Sequence, residues 1–178
     1  MKADTCHGFA DESMGRGRYS MAVALVPSAA LAEMRKSVRG LLLPGQSRLH
    51  MAKESASRQR HLARAVSGLG IEVLIVSRAH HLASERENRD RVLAELIGLI
   101  AERPVERLSI ESCDQDRQDR VVVANALNGR SFPAGYHHMR PSLEPLLWLP
   151  DIVAWSHGKG GEHRKLVAPL LARHLEVA

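Results

Sequence analysis

The chain has 178 residues, of which 44% are hydrophobic, 25% charged and only 3% aromatic. This size and balance predict one globular domain, spanning 1–178 and cored by aliphatic side chains, and exclude a chain that is disordered throughout. Two distant cysteines, Cys6 and Cys113, exclude a disulfide-dense secreted scaffold, and no apolar run reaches the ~18 residues of a membrane span. We therefore expect a soluble, cytoplasmic protein with no membrane partner.

The net charge of +5 favours polyanionic partners such as nucleic acid, because basic surfaces attract phosphates at long range. The same charge also fits the solvated surface of any arginine-rich protein. Composition does not separate the two interpretations.

The first predicted element is an antiparallel hairpin. Apolar residues over 6–12 indicate a strand, and paired glycines over 15–18 are typical of a tight turn. A second strand is predicted over 19–26, ended by Pro27.

Two helices are predicted next. The first would begin with Ser28 as its N-cap, and the second would begin near Ser57 and end at Gly68 or Gly70. The segment 48–54 between them is predicted to be an edge strand or a loop.

The central part of the chain has a strand-helix-strand pattern. A buried strand over 71–76 is followed by a helical stripe over 92–100 and by a third strand over 105–110, which ends at Glu111. This spacing predicts a βαβ unit with parallel strands and a right-handed crossover.

The last third is predicted to be mostly helical. Helices are expected over 114–127, 142–155 and 162–175, with a short strand over 136–139. Together with the hairpin and the βαβ unit, this predicts an α/β fold with a mixed β-sheet and helices on both faces.

Three acids stand out as candidate catalytic and metal-binding residues. Asp11 and Glu111 follow predicted strands, and the carboxyl ends of strands are where α/β sheets hold their sites. Asp151 is the lone acid of the apolar segment 147–155, and a buried carboxylate is costly unless it is paired or binds a cation. Asp119 is the preferred fourth ligand.

Converging carboxylates of this kind predict a site for Mg²⁺ or Mn²⁺, which take oxygen ligands and, in pairs, promote phosphodiester cleavage. Each acid also has an ordinary structural interpretation. Asp11 fits a turn, Glu111 fits a helix cap, and Asp119 and Asp151 fit the first turn of a helix.

These residues resemble the motifs of a large uncharacterised family, a domain of unknown function regarded as RNase H-like. The sequence at 11–13, Asp-Glu-Ser, resembles that family's Asp-Glu-Ser-Gly opening. Leu49-His50 with Lys53 resembles its segment after the first helix, and 147–154 resembles its Leu-Gln-x-Ala-Asp-x-x-Ala helix. Met14, Trp148 and Pro150 depart from the family's pattern.

The resemblance covers most of the chain and implies an RNase H-like fold with a metal site at the matching acids, Asp11 and Asp151. The leading hypothesis is therefore a divalent-metal-dependent nuclease or related phosphoryl-transfer enzyme acting on nucleic acid. The alternative is a catalytically silent RNase H-like module that binds nucleic acid or protein. A small-molecule hydrolase that uses the same acids is a third possibility.

Overall fold

The computed structural model describes residues 5–178, and its first feature is the predicted hairpin. Strand β1 (Cys6–Gly15) pairs antiparallel with β2 (Arg18–Pro27) along its whole length. Arg16 and Gly17 form the turn with positive φ angles of 50° and 72°, as a tight two-residue hairpin requires. Because β2 pairs with all of it, β1 continues past the predicted end at residue 12.

Replacing Gly17 by alanine should lower the free energy of unfolding by about 1–2 kcal/mol, because a Cβ atom disfavours positive φ. Gly15→Ala is the matched control, since Gly15 has an ordinary φ and a Cβ there would meet no atom within 4 Å. Urea denaturation of both variants measures the difference. An equal loss in the two proteins would contradict the assignment of strain to the turn.

Four further strands complete a six-stranded sheet of order β5-β4-β1-β2-β3-β6. They are β3 (Glu72–Ala79), β4 (Val105–Glu111), β5 (Tyr136–Met139) and β6 (Leu171–Val177). Strands β4, β5 and β6 pair in parallel with β1, β4 and β3, whereas β2 is antiparallel to both of its neighbours. The prediction of a mixed sheet is confirmed.

The parallel orientation predicted for the strands of the βαβ unit is confirmed. Strands β3 and β4 run in the same direction, as expected, but β1 and β2 lie between them. The hairpin occupies the place beside each of these strands, so the crossover passes over two strands instead of joining neighbours.

Helices cover both faces of the sheet. They are α1 (Leu31–Arg39), α2 (Ala56–Ser67), α3 (Glu85–Ala101), α4 (Asp116–Leu127), α5 (Trp148–Lys159) and α6 (Gly161–Val167). Helices α3 and α4 pack on one core cluster, here called the α3 face; the other four pack on the α5 face. Within 5–178 no helix has both the length and the apolar character that would carry it across a membrane.

Alternation along β1 assigns its side chains to the two faces. Phe9 is buried in the α5 face and Ala10 in the α3 face. Successive strand residues point to opposite sides, so Asp11 lies on the α5 face and Glu12 on the α3 face.

Two local predictions need correction, and one open alternative is decided. The hydroxyl of Ser28 donates to Glu106 at 3.0 Å and caps no helix; a short 3-10 turn precedes α1 there. Of the two alternatives predicted for the segment 48–54, the loop is confirmed, and it contains a 3-10 turn. The helix predicted over 162–175 ends at Val167, because Pro169 has no N–H for a helix interior, and the chain then pairs with β3 as β6.

Candidate metal centre

Asp11 and Glu111 lie level on adjacent parallel strands. Ala10 is paired with Ile110, so the next residue of each strand falls side by side across a spacing of ~4.8 Å. The expectation that β1 and β4 are parallel neighbours is confirmed. Glu111 ends β4, whereas Asp11 lies inside β1, at the point where its pairing with β4 stops.

Asp151 reaches the same region from the first turn of α5, which packs across β1. Pro150 precedes it in that turn, where its missing N–H removes no helical hydrogen bond. Asp151 is only 7% exposed, and its carboxylate accepts a hydrogen bond from the backbone N–H of Met51 at 2.9 Å. Nδ1 of His50 lies 3.5 Å from the same carboxylate oxygen.

The electrostatics of the three acids show that they crowd one another. Burial, and then the charges of Glu111 and Asp151, raise the pKa of Asp11 well above its ordinary value. Burial also raises the pKa of Glu111, although Arg48, 3.1 Å away, and a hydrogen bond with Asp11 oppose the rise. The charge of Glu111 thus disfavours ionisation of Asp11, as it does in close carboxyl pairs.

This donor set fits a hard divalent cation. All of its side-chain ligands are carboxylate oxygens, which Mg²⁺ and Mn²⁺ prefer, and a cation would offset the repulsion that now raises the pKa of Asp11. The three acids are positioned by different elements, namely β1, β4 and α5. Their role as metal ligands stays a prediction.

Asp119, the predicted fourth ligand, does not lie with them. It is fully buried on the α3 face, where Nε and Nη2 of Arg89 donate to its two oxygens at 2.9 and 2.7 Å. Nε2 of His138 lies 3.2 Å away. The β-sheet therefore separates Asp119 from Asp11, and no local pattern in the sequence indicated its partner on α3.

Glu12 joins the same network, as the alternation of β1 requires. The hydroxyl of Tyr19 and the guanidinium of Arg89 both donate to its carboxylate. Burial would raise the pKa of Asp119, but hydrogen bonds from Arg89 and His138 hold it far below its ordinary value. These acids are thus neutralised by protein cations.

Cys113, Asp116 and Asp119 form a second acidic group, whose ligand atoms lie within 4.8 Å of one another. Among residues 5–178, no other three possible ligand residues lie this close together. The carboxylates of Asp11, Glu111 and Asp151 are therefore spread more widely than this group. Asp116 already accepts from the hydroxyl of Ser112 and from the N–H of Cys113, at 2.6 and 2.8 Å. Burial also raises the pKa of the Cys113 thiol, which disfavours the thiolate that binds metal.

Sequence reasoning missed two contributors to the candidate centre. The Arg48 side chain contacts Glu111, and the backbone N–H of Met51 fixes Asp151. Both lie beside His50, in the segment that carries the family resemblance. Their position near that segment was the one sequence feature that could have identified them. The contacts themselves join residues 63 and 100 positions apart, and such contacts leave no local pattern in the sequence.

The sequence matches no protein-family model and no curated protein. Among solved structures, the crystal structure of a point mutant of Bst-RNase HIII is similar, with 14% identity and a TM-score of 0.52. The match covers 85% of this chain but 51% of that one. At this identity the likeness shows the fold alone, and the predicted RNase H-like α/β fold is confirmed.

Proposed function

We propose that this protein is a divalent-metal-dependent nuclease, or a related phosphoryl-transfer enzyme, in which Asp11, Glu111 and Asp151 hold Mg²⁺ or Mn²⁺. The observation that carries the proposal is the crowding of the three acids, with a raised pKa at Asp11, in an RNase H-like sheet. Such crowding is unfavourable in the bare protein, and a bound cation would make it favourable.

In the proposed centre each residue has a defined task. A pair of bound divalent ions would supply an activated water and a stabilised leaving oxygen. Asp11 and Glu111 would bind the ions as carboxylates, and the ions' charge would offset the repulsion between them. The N–H of Met51 and the ring of His50 keep the carboxylate of Asp151 directed towards β1.

Nucleic acid is the proposed substrate because the net charge of +5 attracts phosphates and the similar solved structure is an RNase HIII. We also infer that 1–178 is one domain, since both core clusters pack on the same sheet. Cys6 and Cys113 are free thiols, which suits a reducing cytoplasm.

The proposal is tested by incubating the purified protein and an Asp151→Asn variant with single- and double-stranded DNA, RNA and RNA–DNA hybrids in Mn²⁺. We expect the wild type to cleave at least one of them and the variant to lose about 10²–10³-fold in rate. Asp114→Asn is the matched control, because Asp114 is exposed and lies outside the cluster. Absence of cleavage, with no Mn²⁺ binding by calorimetry, would overturn the proposal.

A second candidate function is a catalytically silent RNase H-like module that binds nucleic acid or protein. The ion pair between Arg48 and Glu111 favours it, because a protein cation already occupies part of the acidic cluster. Salt-dependent binding that survives both chelation and the Asp151→Asn change, without cleavage, would select this alternative.

A further inference from the structure

A cavity of about 350 Å³ opens on the α5 face, next to the acidic centre. Its walls are the end of the β1–β2 hairpin, the sheet at β3 and β6, and the chain where α5 meets α6. This volume lies within the ~300–1,000 Å³ of small-molecule sites, and it is large enough for a phosphate together with an attached sugar.

The walls of this cavity carry cations and no carboxylate. Four basic side chains line it: Arg16, Arg18, Lys159 and Arg164. In the part of the chain that the structure describes, Arg18 alone of these four forms an ion pair, with Glu176 at 2.5 Å. Four converging charges of one sign repel each other, so an anion between them is stabilising.

Arg18, which lines the cavity, has one donor without a partner among residues 5–178. Nη2 of Arg18 binds Glu176, but Nη1 of the same guanidinium is buried and has no hydrogen bond to any residue of 5–178. A buried donor without an acceptor is destabilising, commonly by more than its hydrogen bond would contribute. The guanidinium of Arg18 therefore keeps one hydrogen-bonding donor that no group of residues 5–178 uses.

Neutral donors and acceptors complete the lining. The hydroxyls of Ser20 and Ser77 lie 2.9 Å apart, and Nε2 of His174 lies 3.0 Å from Ser77. Burial, followed by the neighbouring His174, lowers the pKa of His157 to about 4, and burial also lowers the pKa of His174. At neutral pH the positive charge of the cavity therefore comes from arginine and lysine.

The cavity lies within reach of the proposed catalytic centre. Ser13 lines it and lies two residues beyond Asp11 on the same face of β1, a separation of about 7 Å along the strand. A ligand in the cavity and a phosphodiester at Asp11 would thus be close enough to belong to one polynucleotide strand.

We propose that this cavity is a phosphate-binding site, with Arg16, Arg18 and Arg164 as its charged donors. Resting on the proposed function, we assign the phosphate to the nucleic-acid strand held beside Asp11. Guanidinium groups suit this role, since their paired N–H donors match the geometry of phosphate oxygens.

The test is binding, not cleavage. Affinity for a fluorescent single-stranded oligonucleotide is measured by anisotropy in EDTA, across a range of salt, for the wild type and for Arg16→Gln/Arg164→Gln. The matched control is Arg117→Gln/Arg120→Gln, which removes the same charge from exposed positions of α4 on the α3 face. Thermal unfolding of both double variants checks that each is folded.

The cavity variant should bind roughly tenfold more weakly, and its salt slope should fall by about 0.7 because one phosphate of the oligonucleotide is no longer neutralised. The control should keep the wild-type affinity to within about twofold. Equal weakening in both double variants would overturn the phosphate site, because attraction by general surface charge would then suffice. No weakening in either variant would overturn it if nucleotide and phosphate binding are also independent of the cavity.

The source of the phosphate is settled by competition with adenosine monophosphate and inorganic phosphate. Cavity-dependent binding of the nucleotide, with unchanged oligonucleotide affinity, would support the site and assign it to free nucleotides. No step of this binding test requires metal. Cavity-dependent binding without cleavage would therefore overturn the proposed nuclease activity and support the phosphate site. If cleavage and oligonucleotide affinity are both unchanged in the cavity variant, and no nucleotide binding depends on the cavity, the phosphate site is overturned. The proposed nuclease activity is then supported.

Discussion

Replacing Arg89 by alanine should lower the free energy of unfolding by about 3–5 kcal/mol, the usual effect of breaking a buried ion pair on one side. Arg89 holds both oxygens of Asp119, at 2.9 and 2.7 Å, and also contacts Glu12 and Tyr19. Without the guanidinium, the carboxylate of Asp119 stays fully buried, with His138 at 3.2 Å and the Arg86 guanidinium at 3.5 Å as its remaining partners. Chemical denaturation at neutral pH measures the effect.

The loss of stability in Arg89→Ala should depend on pH, and the lowered pKa of Asp119 determines the direction of that dependence. The folded-state pKa of Asp119 lies far below its unfolded value, so its ion pair stabilises the protein above about pH 4 and fades as the pH falls through the folded pKa. The Arg89→Ala variant should therefore differ most from the wild type above pH 4 and less in acid.

Arg91→Ala is the matched control for this prediction. Arg91 lies on the same helix, is exposed, and pairs with Glu95 at 3.2 Å on the surface. Its removal should change stability by no more than about 0.5 kcal/mol. Equal effects at the two positions would mean that the network on the α3 face contributes no more than a surface pair.

Local patterns in the sequence predicted most of the elements of this fold. The glycines of the hairpin turn, the apolar strand before Ser77 and the stripe of α3 all correspond to observed structure. The helix predicted over 114–127 also forms despite its valines, and Asn128 ends it with a φ of 48°, as a left-handed cap does.

The partners of those elements were much less predictable. The neighbours of β3 are β2 and β6, and both pairings depend on contacts between distant parts of the chain. The C-terminal segment carries no strong strand pattern, and its conformation follows from the free edge that β3 would otherwise present. Pro169 was the one local sign that the helix over 162–175 would stop.

The candidate acids also differ in how far local sequence patterns could predict their surroundings. The positions of Asp11, Glu111 and Asp151 were predictable because strand ends and an apolar helix are local features, whereas their role as ligands stays a prediction. Asp119 looked like an equally good candidate, since a first-turn acid on a helix has the same pattern whether it faces solvent, a metal or an arginine. Only the position of Arg89, 30 residues earlier, decides between these environments.

Replacing Asp11 by asparagine should abolish metal-dependent stabilisation and, on the proposed function, lower the cleavage rate by about 10²–10³-fold. The folded-state pKa of Asp11 is raised by burial and by Glu111 and Asp151, so its protonated form favours folding. The stability that it contributes is complete below about pH 4 and is lost as the pH rises through the folded pKa. At pH 8 without metal, the variant should therefore unfold at the same temperature as the wild type or higher.

Addition of Mn²⁺ should reverse that order. At a hundred times its dissociation constant, an ion that binds only the folded state adds about 2.7 kcal/mol, which is about 5–10 °C in Tm for a chain of this size. The wild type and the exposed control Asp114→Asn should both show the rise, and Asp11→Asn should not. An equal rise in Asp11→Asn would place the ion elsewhere, with the group of Cys113, Asp116 and Asp119 as the next position to test, and would remove Asp11 from the proposed centre.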